Sequence, residues 1–283
     1  DIAAACALAG KSDVAIIFAT QWQTEAVDAL TLALPDGQDE LISKVAAANP
    51  RTIIVLETGG PVLMPWLADV PAVLEAWYPG QRGGEAIARL LFGDVNPSGR
   101  LPISFPASDD QAPRTEPGGL EQLRARDAAV AAGDRSARIG PFSVDYVEGA
   151  NAGYRWYDVM GRKPLFPFGH GLSYTRFEYA NLAIVDHGAR PRVRLDVTNV
   201  GGRDGADVQQ IYVRAADRMG RESWRLAGFA RSEIAAGSTV QIEIDLDPRT
   251  FSNWDDGAKL WRPSPKALDL AAGHSCRNLV LFD

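Results

Sequence analysis

The sequence predicts an α/β unit with a parallel sheet, followed by an all-β sandwich. In the first hundred residues, short apolar runs alternate with stretches of helical periodicity, the pattern of parallel strands joined by helices. From about residue 174, short alternating strands are separated by turn residues, which is typical of a small antiparallel sandwich. We therefore divide the chain into an α/β part over 1–108, an irregular connection over 109–173 and a β domain over 174–283.

The first part contains strands and helices in alternation. Three apolar runs are the expected parallel strands, and such strands are usually buried on both faces; the runs span 14–18, 52–56 and 72–77. Helical spacing of Leu41, Ile42 and Val45 predicts a helix that ends before Pro50. The same spacing predicts a second helix over 83–92. Three strands form a thin sheet, so we expect the rest of this domain to lie on sequence outside the chain.

The later parts differ in texture. Frequent prolines interrupt residues 97–174, where an Ala- and Arg-rich stretch over 120–132 predicts a short exposed helix. A connection of this length is usually a functional loop or an interdomain linker. Beyond it, residues 192–198 alternate with a period of two, and further strands are expected over 208–213 and 240–246.

Composition excludes several classes of protein. The chain has 283 residues, 46% hydrophobic and 23% charged, which is ordinary for a globular protein. A net charge of −7 disfavours a nucleic-acid binder, because phosphate contacts need a basic surface. No apolar run approaches the ~20 residues of a membrane span. Cys6 and Cys276 form no metal or redox motif, and they leave the redox compartment open.

The chain begins without a recognisable targeting segment. Asp1–Gly10 lacks the basic region of a signal peptide, and residues 2–8 are typical of a helix already under way. We therefore expect the chain to begin inside a domain. The location is left open, with a periplasmic or secreted one favoured over a cytoplasmic one.

The candidate chemistry rests on carboxylates and tryptophans that follow strands. The sequence contains no nucleophile elbow, P-loop or zinc-protease motif, and its three scattered histidines predict no metal site. Ligands of open α/β sheets bind at the carboxyl ends of the strands, where Trp22 and Glu25 follow the first strand. A tryptophan can stack on a sugar ring, and a carboxylic acid can protonate a glycosidic oxygen. Glu57 and Glu75 compete for that role, and chemistry alone does not separate the three glutamates.

Two long motifs carry a family resemblance. The first runs Trp77-Tyr78-Pro79-Gly80-Gln81-x-Gly83-Gly84-Glu85-Ala86 and continues as Leu91-Phe92-Gly93-Asp94-Val95-Asn96-Pro97-Ser98-Gly99-Arg100-Leu101-Pro102. The second runs Gly153-Tyr154-Arg155-Trp156-Tyr157, then Pro167-Phe168-Gly169-His170-Gly171-Leu172-Ser173-Tyr174-Thr175. Over nearly its whole length the chain closely resembles glycoside hydrolase family 3, the β-glucosidase and β-xylosidase type. Its β domain looks like the fibronectin type III-like domain of that family, and its first part like a portion of the family's α/β sandwich.

The resemblance implies an active site shared with another domain. The family's nucleophile is an aspartate in a Ser-Asp-Trp context on a (β/α)8 barrel, and no segment of this chain fits that context. The family's acid/base loop, often Ser-Glu-Gly-x-Asp ahead of Leu-Pro-x-x-Gln, matches residues 24–28 and 34–38, with Ala26 in place of the usual glycine. Glu25 falls on the acid/base position, so the resemblance favours it over Glu57 and Glu75.

These observations predict the C-terminal portion of a retaining, exo-acting β-glycosidase. Glu25 is the expected general acid/base, Trp22 a substrate contact, and the expected partners are a barrel domain or chain that carries the nucleophile and an oligosaccharide or β-glycoside substrate. A homo-oligomer is left open, and no cofactor, metal, nucleic acid or membrane span is expected. The alternative is a non-catalytic module that stabilises an enzyme, oligomerises it or binds carbohydrate. A self-sufficient hydrolase would need a second carboxylate from Asp28, Glu57 or Glu75.

Overall fold

The computed structural model describes residues 1–23, 29–188, 190–217, 219–263 and 269–281. It divides into two compact units that interleave along the sequence. The first unit comprises Asp1–Gln81 and Pro106–Gly149, and the second comprises Arg82–Phe105 and Ala150–Asp283. Each unit combines two separate stretches of sequence. The units therefore do not test the predicted domain boundaries at residues 108 and 173, which stay a prediction.

Helices and strands are numbered in chain order over the described residues. The α-helices are α1 (Ile2–Ala9), α2 (Gln38–Ala48), α3 (Gly83–Leu91), α4 (Leu120–Ala131) and α5 (Tyr154–Val159). The strands are β1 (Ala15–Thr20), β2 (Thr52–Glu57), β3 (Ala72–Glu75), β4 (Phe177–Asp186), β5 (Arg192–Asn199), β6 (Gly205–Ala216), β7 (Glu222–Ile234), β8 (Thr239–Asp245), β9 (Ser252–Asp255), β10 (Leu260–Pro263), β11 (Asp269–Ser275) and β12 (Asn278–Leu281).

A three-stranded parallel sheet forms the centre of the first unit. Its strand order is β1-β2-β3, so β2 lies in the middle and its Ile54, Val55 and Leu56 are fully buried. Helix α2 begins after Gly37, which has a positive φ that glycine adopts without a steric penalty. The buried side of the helix presents Ile42 and Val45. The predicted parallel sheet is therefore confirmed.

One expectation about this sheet is wrong. The strands were expected to be buried on both faces, but β1 alternates between covered and exposed residues. Ile16 is 44% exposed and Phe18 is 51% exposed. The reason is that β1 is an edge strand and the described residues form no layer over this face. Two large apolar side chains on this face of β1 are thus left accessible to water.

The second unit contains an antiparallel sandwich. One sheet has the order β12-β11-β6-β7 and the other β4-β5-β8, with β9 and β10 as a separate pair. Strand β5 alternates as the sequence predicts, burying Val193, Leu195 and Val197 completely. Side chains from both sheets meet in one core, formed by Phe177, Val193, Leu195, Val197, Ile211, Val213, Ala227, Ile234, Ile244, Leu246, Leu270 and Ala272. The predicted all-β sandwich is confirmed.

A buried carboxylate links the first family motif to the sandwich within the second unit. Asp207 is fully buried and accepts hydrogen bonds from the Arg100 guanidinium and, at 2.6 Å, from the Tyr179 hydroxyl. His274 Nδ1 lies 3.6 Å from Asp207 Oδ2. Burial opposes ionisation of Asp207, but His274, Tyr179 and Arg100 outweigh it and lower the pKa to about 2. This cluster is a structural ion pair, because Arg100 is itself only 11% exposed in its side chain.

Burial shifts the pKa of two further groups noted in the sequence, His170 and Cys276. His170 stacks on Phe166 at 5.1 Å between ring centroids, and burial lowers its pKa. Burial also raises the pKa of the Cys276 thiol to about 12, and both cysteines are free. Within the described ranges, no three His, Cys, Asp or Glu side chains converge as metal ligands. In the same ranges, every helix is too short or too polar to cross a lipid bilayer.

Candidate active site

The carboxyl ends of the three parallel strands meet at one edge of the sheet in the first unit. Thr20 at the end of β1 pairs with Glu57 at the end of β2, and Leu56 of β2 pairs with Glu75 at the end of β3. The ladder continues one residue further, because the Gln21 N–H donates to the Glu57 carbonyl at 3.2 Å. This edge is where open α/β sheets bind ligands.

The structure brings some of the sequence candidates together and leaves one undescribed. Trp22, Glu57 and Glu75 all lie at this edge. Glu25 belongs to residues 24–28 and lies outside the described residues, so its role stays a prediction. Trp22 is 82% exposed, which leaves its indole face open to a ligand. A sugar contact by Trp22 stays a prediction as well.

Gln38 fixes the end of β1 from the start of helix α2. The Thr20 N–H donates to Gln38 Oε1 at 2.8 Å, and Gln38 Nε2 donates to the Thr20 carbonyl at 2.8 Å. The Gln38 amide thus makes the two backbone hydrogen bonds to Thr20 that a neighbouring strand would otherwise make. The Leu34–Gln38 motif was identified by resemblance, but its contact with Thr20 is apparent only in the fold. The contact fixes the geometry at both ends of the connection over 21–37.

Tyr78 fixes the residues that follow β1. Its hydroxyl donates to the Gln21 carbonyl at 2.5 Å and accepts from the Gln23 N–H at 3.0 Å. The two bonded residues flank Trp22. Sequence reasoning assigned Tyr78 to a family motif without a role, and no local pattern connects it to a loop more than fifty residues earlier.

Gly59 has no room for a side chain. A Cβ on Gly59 would lie 2.4 Å from Gln23 Oε1 and 3.1 Å from the Tyr78 hydroxyl oxygen. At Gly60 the nearest such contact would be an ordinary 3.6 Å, also to Gln23 Oε1. A Gly59-Gly60 pair shortly after a strand is a signal that another group approaches the backbone closely, and at Gly59 the approaching groups are the side chains of Gln23 and Tyr78.

Glu75 is partly buried among neutral groups. Its Oε1 accepts the Trp77 N–H at 2.9 Å, and both carboxyl oxygens lie 3.4 Å from Thr58 Oγ1. Burial raises the pKa of Glu75 to about 7, against the opposing effect of the hydrogen bonds from Trp77 and Thr58. A carboxyl that stays protonated near neutrality has the property of a general acid, so Glu75 remains a competitor on chemical grounds.

The orientation of Glu75 favours a supporting role. The residue it binds, Trp77, has a φ of 54°, a left-handed conformation that costs a non-glycine residue about 1–3 kcal/mol. The hydrogen bond from the Trp77 N–H to Glu75 stabilises this turn. Tyr78 follows directly, and its hydroxyl reaches Gln21 and Gln23 from there. This geometry favours a structural role for Glu75, which stabilises the turn that positions Tyr78.

Gln21 carries an unsatisfied polar atom at the same edge. Its side chain is 6% exposed, and Oε1 has no hydrogen-bond partner among the described residues. A buried acceptor without a partner costs about 1–3 kcal/mol. A donor from outside the described residues would remove this cost, so Gln21 marks a place where another group is expected.

Comparison with known proteins assigns the chain to a family. The Glycosyl hydrolase family 3 C-terminal domain profile matches residues 1–174, and the fibronectin type III-like domain profile matches residues 207–276. This chain therefore belongs to glycosyl hydrolase family 3, as its motifs predict.

Its similarity to named relatives extends over most of the chain. It is 39% identical over 282 residues to a β-glucosidase of Rhizobium radiobacter, covering 97% of this chain and 32% of the relative. It is 35% identical to the thermostable β-glucosidase B of Acetivibrio thermocellus, covering 96% of this chain and 35% of the relative. The chain thus spans about a third of the length of these curated relatives.

Solved structures give the same picture. The structure of DesR, a β-glucosidase from Streptomyces venezuelae in complex with D-glucose, superposes with a TM-score of 0.82 at 40% identity. It covers 99% of this chain and 34% of the DesR chain. A β-glucosidase from Kluyveromyces marxianus gives a TM-score of 0.83 at 31% identity, covering 99% of this chain and 32% of the other. The α/β and sandwich architecture is therefore that of β-glucosidase C-terminal regions.

Proposed function

We propose that this chain is the C-terminal portion of a retaining, exo-acting β-glucosidase in which Glu25 is the general acid/base. The main support is the match of residues 1–174 to the family profile. Within that match, Glu25 follows β1 in sequence and lies in the segment that resembles the family's acid/base loop. The names of the relatives favour terminal β-linked glucose as the glycone. DesR binds D-glucose in its solved structure, which fits this choice.

In this proposal, catalysis needs two carboxyl groups on different domains. An aspartate of a barrel domain attacks the anomeric carbon and forms a glycosyl-enzyme, while Glu25 protonates the departing glycosidic oxygen. Glu25 then takes a proton from water, which hydrolyses the glycosyl-enzyme with net retention. The two carboxyl groups of a retaining enzyme lie about 5–5.5 Å apart. Trp22 would contact the sugar from the same loop.

Exposed features of the first unit support a missing partner. Ile16 and Phe18 on β1 present an apolar surface to water, and Gln21 Oε1 needs a donor. A barrel domain packed against β1 would cover Ile16 and Phe18, and a donor group on that domain would satisfy Gln21 Oε1. We expect the purified 283-residue chain to leave an aryl β-glucoside unhydrolysed and to gain activity when combined with a barrel-bearing chain. Robust hydrolysis by these residues alone would contradict the proposal.

The decisive experiment compares leaving groups in the complete enzyme. Glu25→Gln keeps the shape of the side chain but removes the proton donor, and general acid catalysis is worth about 10²–10⁴-fold. We expect a loss of that size on cellobiose. Glycosylation by a dinitrophenyl glucoside should be affected far less, because that leaving group departs without a proton. Azide should restore turnover of the glycosyl-enzyme, since this nucleophile needs no base.

Two other glutamates serve as matched controls. Glu57→Gln and Glu75→Gln make the same chemical change at the same edge of the sheet, and neither should give azide rescue. If Glu25→Gln turns over cellobiose at the wild-type rate while Glu75→Gln shows the leaving-group pattern, the acid/base is Glu75 and our assignment is wrong.

A further inference from the structure

The hydroxyl of Tyr78 holds two backbone groups of the loop that leaves β1. It donates to the Gln21 carbonyl and accepts from the Gln23 N–H, at 2.5 Å and 3.0 Å. One oxygen atom thereby fixes the chain on both sides of Trp22. The next residue is Thr24, which opens the segment that carries Glu25.

The position of Tyr78 is itself prepared by the end of β3. Trp77 adopts a left-handed φ of 54°, and its N–H donates to Glu75 Oε1 at 2.9 Å. This turn directs Tyr78 back across the sheet edge toward β1. The Tyr78 side chain is 54% exposed, so burial contributes little to its placement and the hydroxyl contacts matter more.

Gly59 closes the same arrangement from the end of β2. A Cβ there would approach Gln23 Oε1 to 2.4 Å, a separation at which something must shift. Residues 21–23 are therefore held by hydrogen bonds from Tyr78, and the Gln23 side chain lies close against Gly59. Two strands other than β1 contribute to fixing these residues.

We propose that Tyr78 is a positioning residue for glycosidic bond cleavage: by clasping Gln21 and Gln23 it sets the course of the chain into the segment that bears Glu25. This inference rests on the proposed function of Glu25. Tyr78 touches the loop backbone and acts on the reaction through Glu25. Proton donation is sensitive to position, since misplacement by 1 Å can cost about 10²-fold in rate.

Removal of the hydroxyl in the complete enzyme tests the proposal. We expect Tyr78→Phe to lower kcat on cellobiose by about 10–100-fold, with little change in KM. Glycosylation by a dinitrophenyl glucoside should fall by less than about threefold, because that step needs little acid assistance. The melting temperature should stay within about 2 °C of wild type, since the ring remains and its surroundings are open to water. Tyr146→Phe makes the same deletion on a tyrosine that is 72% exposed and should be silent.

A second pair of variants disturbs the arrangement while leaving the Tyr78 side chain itself unchanged. Gly59→Ala should reproduce the leaving-group-dependent loss, because its Cβ would crowd both Gln23 Oε1 and the Tyr78 ring and hydroxyl. Gly60→Ala should behave as wild type, because its Cβ meets Gln23 only at ordinary contact distances of 3.6 and 3.7 Å. The two glycines are adjacent, so this comparison separates crowding of Gln23 and Tyr78 from a general effect of adding a methyl group after β2.

The double variant identifies the route by which Tyr78 acts. If Tyr78 works through Glu25, Tyr78→Phe should have almost no effect on cellobiose turnover in a Glu25→Gln background, because residues that act as a unit are not additive. Loss on every leaving group alike, persisting in that background, would show a merely structural tyrosine and overturn the inference. An increase in KM with unchanged kcat would mean action on Trp22 and would also overturn it.

The outcomes separate this inference from the function on which it rests. If Glu25→Gln shows leaving-group dependence and azide rescue while Tyr78→Phe equals wild type, the acid/base assignment stands and the positioning role is wrong. If Glu25→Gln equals wild type, the proposed function fails and the positioning role fails with it.

Discussion

Glu75 in the first unit and Asp207 in the second are both shielded from water, yet their pKa values move in opposite directions. Burial raises the pKa of Glu75 to about 7, because its neighbours Thr58 and Trp77 offer neutral hydrogen-bond donors. Burial opposes ionisation of Asp207 too, but its charged and polar partners lower its pKa to about 2. The hydrogen bonds from His274 and Tyr179 and the positive charge of Arg100 outweigh burial at Asp207, whereas the neutral donors at Glu75 do not.

The difference separates a structural site from a site that remains open to chemistry. The Asp207 cluster satisfies its charge internally, through Arg100 of the first family motif and the sandwich residues Tyr179 and His274. The strand-end edge that contains Glu75 instead keeps a proton near neutrality, leaves Gln21 Oε1 without a donor among the described residues and exposes Trp22. Active sites are enriched in such perturbed and incompletely satisfied groups.

The largest expected effect follows from removing the carboxylate of Asp207. Asp207→Ala leaves the Arg100 guanidinium buried without its counter-charge, and such a change costs about 3–5 kcal/mol. Asp269→Ala breaks the exposed pair with Arg214 and should cost at most about 1 kcal/mol. Thermal unfolding of the two variants, with hydrogen exchange of β6 as the local probe, measures both. Equal small losses would show that the cluster contributes little to the stability of the second unit.

The next effect is a pH dependence of stability that follows from the opposite pKa shifts of Glu75 and Asp207. Between the ordinary pKa of 4.5 and the folded value of about 7, the folded state holds the Glu75 proton more tightly than the unfolded state. The free energy of unfolding of the first unit should therefore fall as pH rises through this window. The loss should be on the order of 2 kcal/mol after allowance for solvent screening.

Asp207 gives the reverse dependence in a different window. The unfolded state binds its proton more tightly between pH 3.8 and about 2, so its contribution to stability is complete above pH 3.8 and is lost as pH falls. Hydrogen exchange from pH 2 to 8 follows the two units separately. Glu75→Gln should abolish the fall in the stability of β2 between pH 4.5 and about 7. It should leave the acid-side loss in the second unit unchanged. If that variant retains the wild-type pH dependence, Glu75 is not the titrating group.

Local sequence patterns predicted much of the fold. Apolar runs located β1, β2 and β3 to within two residues, and the alternation in β5 identified its buried face, because both signals arise from neighbouring residues. The aromatic stretch that contains α5 was taken as irregular connection, since a helix of six residues at Tyr154–Val159 is too short to show a period. The exposed face of β1 was also missed, because an apolar run does not reveal what lies beside an edge strand.

The candidate site was less accessible to sequence reasoning. Resemblance to a family selected Glu25 among three glutamates, and strand-end placement selected Trp22. The contacts from Tyr78 to Gln21 and from Gln38 to Thr20 join residues distant in sequence, which no periodicity can reveal. The neutral surroundings of Glu75 likewise depend on Thr58, contributed by a different strand end. Local chemistry can be read from a sequence, whereas support of one loop by another requires the fold.

The smallest expected effect compares two tyrosine hydroxyls. Tyr179→Phe removes a hydrogen bond of 2.6 Å to Asp207, and a bond to a charged group is worth about 1.5 kcal/mol. Melting should fall by a few degrees, and the acid-side loss of stability, which still begins near pH 3.8, should be smaller and end at a higher pH, because one group that lowers the Asp207 pKa is gone. Cellobiose turnover by the complete enzyme should stay at the wild-type rate. Tyr78→Phe should give the converse, slow turnover with nearly unchanged melting. If both variants lose stability and activity together, the division between a structural cluster in the second unit and the proposed catalytic site at the strand-end edge of the first is wrong.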